Sequence, residues 1–190
     1  MKLTRMNLPN KLTMLRIGLV PVFMVFFSIN KAWCQWTALV IFVAASVTDL
    51  LDGRIARARH LVTDFGKFMD PIADKLLVMS ALVELVAQLR MPAWVCIVML
   101  AREFMVSGFR LVASAKGKVI AAGIWGKLKT VSQMIFIPMA IVLFPMKELH
   151  HDFHNIWRVL THIIMYISAA LTIWSGFLYI WNNREYLSDM

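Results

Sequence analysis

Apolar residues run along this chain in six long blocks separated by short polar stretches. Windows of roughly 20 apolar residues, the length that crosses about 30 Å of hydrocarbon, predict helices at about 12–30, 34–57, 68–89, 92–115, 124–146 and 156–181. No soluble-domain linker, low-complexity stretch or clear internal repeat interrupts the pattern. It predicts one all-α domain over residues 1–190, a polytopic membrane protein built as a bundle of six transmembrane helices. Basic residues precede the first apolar run, as in a signal peptide. That run lacks a small-x-small cleavage site and leads straight into another span, so it is expected to be retained.

Composition supports the pattern. The chain is 60% hydrophobic and only 16% charged, with a mean hydropathy of +0.69. A soluble domain of this size has too little interior to hide so much apolar surface. The formal charge of +9 comes from 20 Lys and Arg against 11 acids, and its placement predicts orientation. Lys2, Arg5, Lys11 and Arg16 precede the first helix. Arg54, Arg57, Arg59 and Lys67 surround the turn between the second and third, Lys116, Lys118, Lys127 and Lys129 that between the fourth and fifth, and Arg184 follows the sixth. The opposite loops hold little beyond Lys31, Arg90, Lys147 and Arg158. Both termini are therefore expected in the cytoplasm, with anionic membrane lipid rather than nucleic acid as the partner of the basic surface.

Cys34 and Cys96 are isolated in sequence and predict neither a disulfide framework nor a thiolate metal site. Trp33, Trp36, Trp94, Trp125, Trp157 and Trp181 fall at predicted helix ends, as an aromatic belt would place them.

Against this background four aspartates stand out, because a charge placed mid-span costs at least about 2.5–3.5 kcal/mol. Asp49, Asp52, Gly53 and Ala56 are spaced i, i+3, i+4, i+7 and share one helical stripe. Two carboxylates a turn apart repel unless a cation lies between them. Gly53 and Ala56 leave a shallow trough beside them that Arg57 closes. Gly66, Asp70 and Asp74 likewise share a face of the next helix. Packed as antiparallel neighbours through the turn at 58–65, the two helices would gather four carboxylates near the cytoplasmic interface. Oxygen-only ligands select Mg²⁺ or Mn²⁺ over zinc or copper, and two such ions could bridge a diphosphate. Pro71 predicts that the third helix begins or kinks nearby.

The string Asp49-x-x-Asp52-Gly53-x-x-Ala56-Arg57-x8-Gly66-x3-Asp70-x3-Asp74 resembles the signature of the CDP-alcohol phosphatidyltransferases, with every signature position filled. The likeness extends to Asn7-Leu-Pro-Asn10-Lys-Leu-Thr13-x-x-Arg16, to Ala101-Arg102-Glu103-Phe-x-Val-x-Gly-x-Arg110, and to Gly126-Lys127-x-Lys129-Thr130. It is strongest toward the bacterial branch that uses glycerol 3-phosphate. The resemblance implies a six-helix fold, a homodimer in the bacterial plasma membrane, a divalent metal pair, and displacement of CMP from CDP-diacylglycerol by glycerol 3-phosphate. By the same resemblance Asp49, Asp52 and Asp70 hold metal, while Asp74 both joins the metal site and acts as base on the acceptor hydroxyl. Gly53, Ala56 and Arg57 match the nucleotide positions, with Asp49 and Gly66 completing the donor-binding set.

A phosphorylated acceptor needs cations. Arg102 and Arg110 are eight residues apart and share a face of the fourth helix, where an arginine fork can grip phosphate twice. Lys127 and Lys129 are further candidates. The plainer alternative is that Arg102 pairs with Glu103 and that the lysines snorkel to headgroups. Asn10, Thr13 and Arg16 stand where the first helix enters the membrane, placed to cap it or to contact a lipid phosphate. His150 and His154 are one turn apart, yet they lie on the side opposite the aspartates and are expected in a solvated loop rather than a metal site. Two rival readings stay open: the same donor with serine, inositol phosphate or a phospholipid as acceptor, and a divalent-cation transporter, since acids in membranes also mark ion paths.

Overall fold

A computed structural model describes residues 8–58, 64–115, 123–149 and 151–184, with the backbone alone described at 8–11, 49–58, 64–68, 70–71, 74, 114–115, 148–149 and 151–152. Among the described residues there are six helices and no strand: α1 (Leu8–Ser28), α2 (Ala32–Ala58), α3 (Asp64–Ala87), α4 (Ala93–Ala115), α5 (Ile124–Leu149) and α6 (His151–Asn182). Each apolar block is a helix, as expected. The largest shift is at α6, which begins at His151 rather than near 156, so His151–His154 form its first turn and not a loop. A search for apolar windows does not see a polar first turn. α1 also starts early, at Leu8. Asn10, Thr13 and Arg16 therefore lie inside it and do not cap it, and Thr13 and Arg16 are buried in the bundle.

The helices pack α1 on α2 and α3, α2 on α5, α4 on α6, and α5 along α6. Their shared core joins Phe23 and Phe27 of α1, Phe42 of α2, Leu82 of α3, Met99 of α4 and Phe136 of α5. Ring centroids of Phe23 lie 5.3 Å from Phe27 and 5.9 Å from Phe42. Hydroxyls join α5 to α6, where Ser132 Oγ donates to Ser168 Oγ at 3.1 Å, a contact suited to helices lacking a strong hydrophobic drive to associate. Cys34 and Cys96 are buried free thiols, and Cys96 belongs to this core.

One end of the bundle is closed by Arg90, in the turn between α3 and α4. Its Nη1 donates to Gln35 Oε1 at 3.0 Å, to the Ala140 carbonyl at 3.1 Å and to the Ile141 carbonyl at 3.2 Å. Its guanidinium also lies over the rings of Phe27 and Phe144. Burial lowers the Arg90 pKa to about 10, against an opposing pull from Glu84, so the side chain stays charged at neutral pH. Gln35 Nε2 and Gln88 Nε2 both donate to the Phe27 carbonyl, at 2.7 and 2.6 Å. The same turn holds Leu89 at φ 57°, in the left-handed position that ends a helix. Arg90 N reaches Leu85 O at 2.9 Å and Leu89 N reaches Val86 O at 3.0 Å, the hydrogen-bond pair of a Schellman cap.

The outside of the bundle carries many apolar side chains. Val25, Val40, Ile97, Leu111 and Ile173 are each more than half exposed. Among the described residues, α5 and α6 are long and apolar enough to cross a membrane, over Ile124–Lys147 and Phe153–Asn182, and Leu12–Ser28 and Ala32–Thr48 form shorter apolar stretches. Trp33, Trp36, Trp94, Trp125 and Trp181 lie exposed near helix ends. Trp157 instead turns inward to donate Nε1 to the Met139 carbonyl at 2.9 Å.

Candidate active site

α2 runs unbroken through Asp49, Asp52, Gly53, Ala56 and Arg57, and α3 through Gly66, Asp70 and Asp74. The backbone therefore holds both expected registers, with the two acidic segments at adjoining helix ends. The side chains of these eight residues, and that of Asn10, lie outside the described residues. α3 begins at Asp64, well before Pro71. Among the described residues no three His, Cys, Asp or Glu side chains are gathered as a metal site.

Arg102 and Arg110 do share a face of α4. Together with Gly126 of α5 and Ser175, Tyr179 and Asn182 of α6 they line a cavity of about 250 Å³. Among the described residues no acid lines this cavity, and its two guanidinium groups make it a place for an anion. The Arg110 guanidinium lies 5.8 Å from the centre of the Tyr179 ring, which Phe109 meets edge-on at 5.6 Å. Arg102 Nε, Arg110 Nε and the Tyr179 hydroxyl are buried without a hydrogen-bond partner among the described residues. Buried donors of this kind are costly unless something accepts from them.

Two glycines make room for Arg102. A methyl group on Gly126 would stand 3.3 Å from its Nη2, and one on Gly176 would stand 3.2 Å from its Cγ. Arg102 Nη1 in turn donates to Glu103 Oε1 at 3.2 Å. The same carboxylate oxygen takes the Lys129 ammonium from α5. Lys129 is thus buried against Glu103, while Lys127, two residues earlier, is exposed. Lys75, the residue after Asp74, lies near enough for its charge to act on Glu103 and donates to Ser107 Oγ of α4. Lys75, Glu103 and Lys129 line a second, smaller cavity of about 40 Å³.

A third cavity of about 490 Å³ runs between α2, α3 and α5, lined mostly by apolar side chains such as Phe42, Leu77, Met134 and Pro138, with Arg16 of α1 at its margin. Thr130 borders both this groove and the small cavity at Glu103. Apolar groove, charged cluster and arginine cavity therefore follow one another across the bundle. Glu103, Lys75, Tyr179 and Ser175 were not singled out as site residues from sequence. Adjacency alone marks two of them, Glu103 beside Arg102 and Lys75 beside Asp74.

A family model described as CDP-alcohol phosphatidyltransferase matches residues 6–174. The chain is 38% identical over 201 residues to a Bacillus subtilis protein named CDP-diacylglycerol–glycerol-3-phosphate 3-phosphatidyltransferase, covering 95% of this chain and 97% of that one. Proteins of the same name from Rickettsia prowazekii and Haemophilus influenzae are 39% and 35% identical, covering 91% and 97% of this chain and 93% and 97% of theirs. A family match over most of the chain, joined to end-to-end likeness with these relatives, leads to one conclusion: the chain belongs to the CDP-alcohol phosphatidyltransferase family.

Proposed function

We propose that the chain transfers a phosphatidyl group from CDP-diacylglycerol to glycerol 3-phosphate, giving phosphatidylglycerol phosphate and CMP. The observation that carries this reading is the likeness, along nearly the whole of both chains, to relatives named for that reaction. The cavity at Arg102 and Arg110 supports the choice of acceptor. At about 250 Å³ it falls below the roughly 300–1,000 Å³ typical of drug-sized ligands, which favours a small phosphorylated alcohol over a phospholipid. Serine, a zwitterion, would bring a single carboxylate with an ammonium beside it, a poorer match for two guanidinium groups than a phosphate dianion. Lys127 and Lys129 are the lesser phosphate candidates, since Lys129 already serves Glu103.

The donor's two parts suit two regions. Its acyl chains fit the apolar groove between α2, α3 and α5, where Thr13 and Arg16 are candidates to meet a lipid phosphate. Its nucleotide falls to Asp49, Gly53, Ala56, Arg57 and Gly66, where the glycines and the alanine allow a planar group close to the backbone.

Asp49, Asp52, Asp70 and Asp74 offer oxygen donors alone, a set that fits Mg²⁺ or Mn²⁺ and suits a two-ion site. Such ions, when bound, neutralise the pyrophosphate and acidify a hydroxyl beside them. Asp74 takes the proton from the acceptor hydroxyl, whose oxygen forms a new bond to the phosphatidyl phosphorus as the bond from that phosphorus to CMP breaks. Arg102 and Arg110 hold the acceptor's phosphate so that this hydroxyl faces the phosphorus in line. Alignment and charge compensation supply most of the rate in transfers of this kind.

Each of the six helices is read as a membrane span. The shortest, α1, has 21 residues, about 31 Å at a rise of about 1.5 Å per residue, which matches the hydrocarbon thickness. The basic side supports a reading with both termini and the active site in the cytoplasm of a bacterial cell, and the family resemblance supports an enzyme that works in the plasma membrane as a homodimer. The deciding experiment gives purified protein in detergent labelled CDP-diacylglycerol, with Mg²⁺ or EDTA and a panel of alcohols. CMP should appear only with metal and glycerol 3-phosphate. Release of CMP to serine or inositol phosphate instead would overturn the acceptor assignment.

A further inference from the structure

We infer that Glu103 is a positioning residue for recognition of the acceptor's phosphate, acting through Arg102. The inference rests on the reading of the Arg102–Arg110 cavity as the acceptor site. A guanidinium offers five N–H groups in a fixed fork, and what it can grip depends on which edge is left over. Glu103 Oε1 takes Nη1. The edge that remains is Nε with Nη2, the side-on pair that meets phosphate bidentately. Nε is buried and has no partner among the described residues, and Nη2 lies over Gly126, which borders the cavity. The carboxylate that satisfies one nitrogen thus turns the other two toward the place where an anion would sit.

Charge leads to the same inference. Arg102, Lys129 and Lys75 all act on Glu103, and Arg102 and Arg110 border one cavity. Without Glu103, Lys129 and Arg102 would repel each other across a low-dielectric interior, and Arg102 would swing away. With it, one negative charge holds two cations from neighbouring helices, and the cavity keeps enough positive charge to favour a phosphate dianion. Gly126 and Gly176 leave the space this arginine fills, since a Cβ at either would stand 3.3 or 3.2 Å from it.

The test separates acceptor binding from the chemical step. Glu103→Gln keeps size and one acceptor oxygen but loses the charge. It should raise KM for glycerol 3-phosphate about 10-fold or more, with KM for CDP-diacylglycerol unchanged and kcat within about 3-fold. Inhibition by inorganic phosphate should weaken by a similar factor, and Glu103→Asp should restore part of the loss. Arg110→Gln is measured alongside. If it raises the acceptor KM and Glu103→Gln does not, the positioning role is wrong while the acceptor site stands. If Arg110→Gln leaves the acceptor KM unchanged, the acceptor site itself is wrong and the role of Glu103 falls with it. A loss of kcat in Glu103→Gln with both KM values intact also overturns the inference. Should Glu103→Gln not be recovered folded, Gly126→Ala carries the test, because among the described residues its methyl group presses on Arg102 Nη2 and on no other side chain. It is expected to raise the acceptor KM several-fold, and an unchanged KM overturns the inference.

Discussion

Arg90 donates to the carbonyl oxygen of Ile141 at 3.2 Å, the acceptor left without its usual helical partner because Pro145, four residues on, has no amide hydrogen. A proline inside α5 is thus made good by an arginine from the turn between α3 and α4. Replacing Arg90 with Met keeps the apolar stem but strands that carbonyl and the Gln35 side-chain oxygen. Such changes cost about 2–4 kcal/mol. The detergent-solubilised variant should unfold at a clearly lower temperature, with activity per folded molecule preserved at low temperature. An unchanged unfolding midpoint would show that the contact contributes nothing.

The same turn offers a stabilising change. Leu89 occupies a left-handed conformation at φ 57° and is 93% exposed, so its side chain adds strain and almost no packing. A non-glycine residue there costs about 1–2 kcal/mol, partly offset by glycine's greater freedom in the unfolded chain. Leu89→Gly should raise stability by about 0.5–1 kcal/mol, read as a higher midpoint at unaltered activity. A lower midpoint would mean that Leu89 has a membrane contact worth more than the strain.

Asp74→Asn keeps the shape of the proposed base and removes its charge. Loss of activity should exceed 100-fold, in the range that general base catalysis supplies, with the protein still eluting as folded. Chelation by EDTA should abolish activity reversibly, Mg²⁺ or Mn²⁺ restoring it. Full turnover in EDTA would remove the metal from the mechanism.

Arg110→Gln should raise KM for glycerol 3-phosphate by about 10- to 100-fold, the loss of one charge-assisted hydrogen bond worth about 1.5–3 kcal/mol, and leave the donor's KM alone. Equal effects on both substrates would mean that Arg110 supports the fold and not the acceptor.

The helices are legible because each is a long apolar run set off by short polar stretches, a pattern local to every block. So was the pairing of Arg102 with Arg110, which needs only the pitch of one helix. What escaped depends on neighbours distant in the chain. Glu103 meets Lys129 because α4 lies near α5, and nothing local announces that. Arg90 read as one of few charges on the far side of the membrane, useful for orientation. Its stem and head in fact reach into the bundle, between two phenylalanine rings and the carbonyls of α5. The early start of α6 was hidden because histidines and Asp152 look like loop residues to a hydropathy window.

The apolar groove between α2, α3 and α5 bears on how this enzyme must be assayed. A ligand entering there arrives sideways from a two-dimensional film, so its effective concentration is its mole fraction among detergent or lipid molecules, not its amount per litre. Adding inert micelles at fixed total donor should slow the reaction, while glycerol 3-phosphate, which comes from water, should obey ordinary volume concentrations.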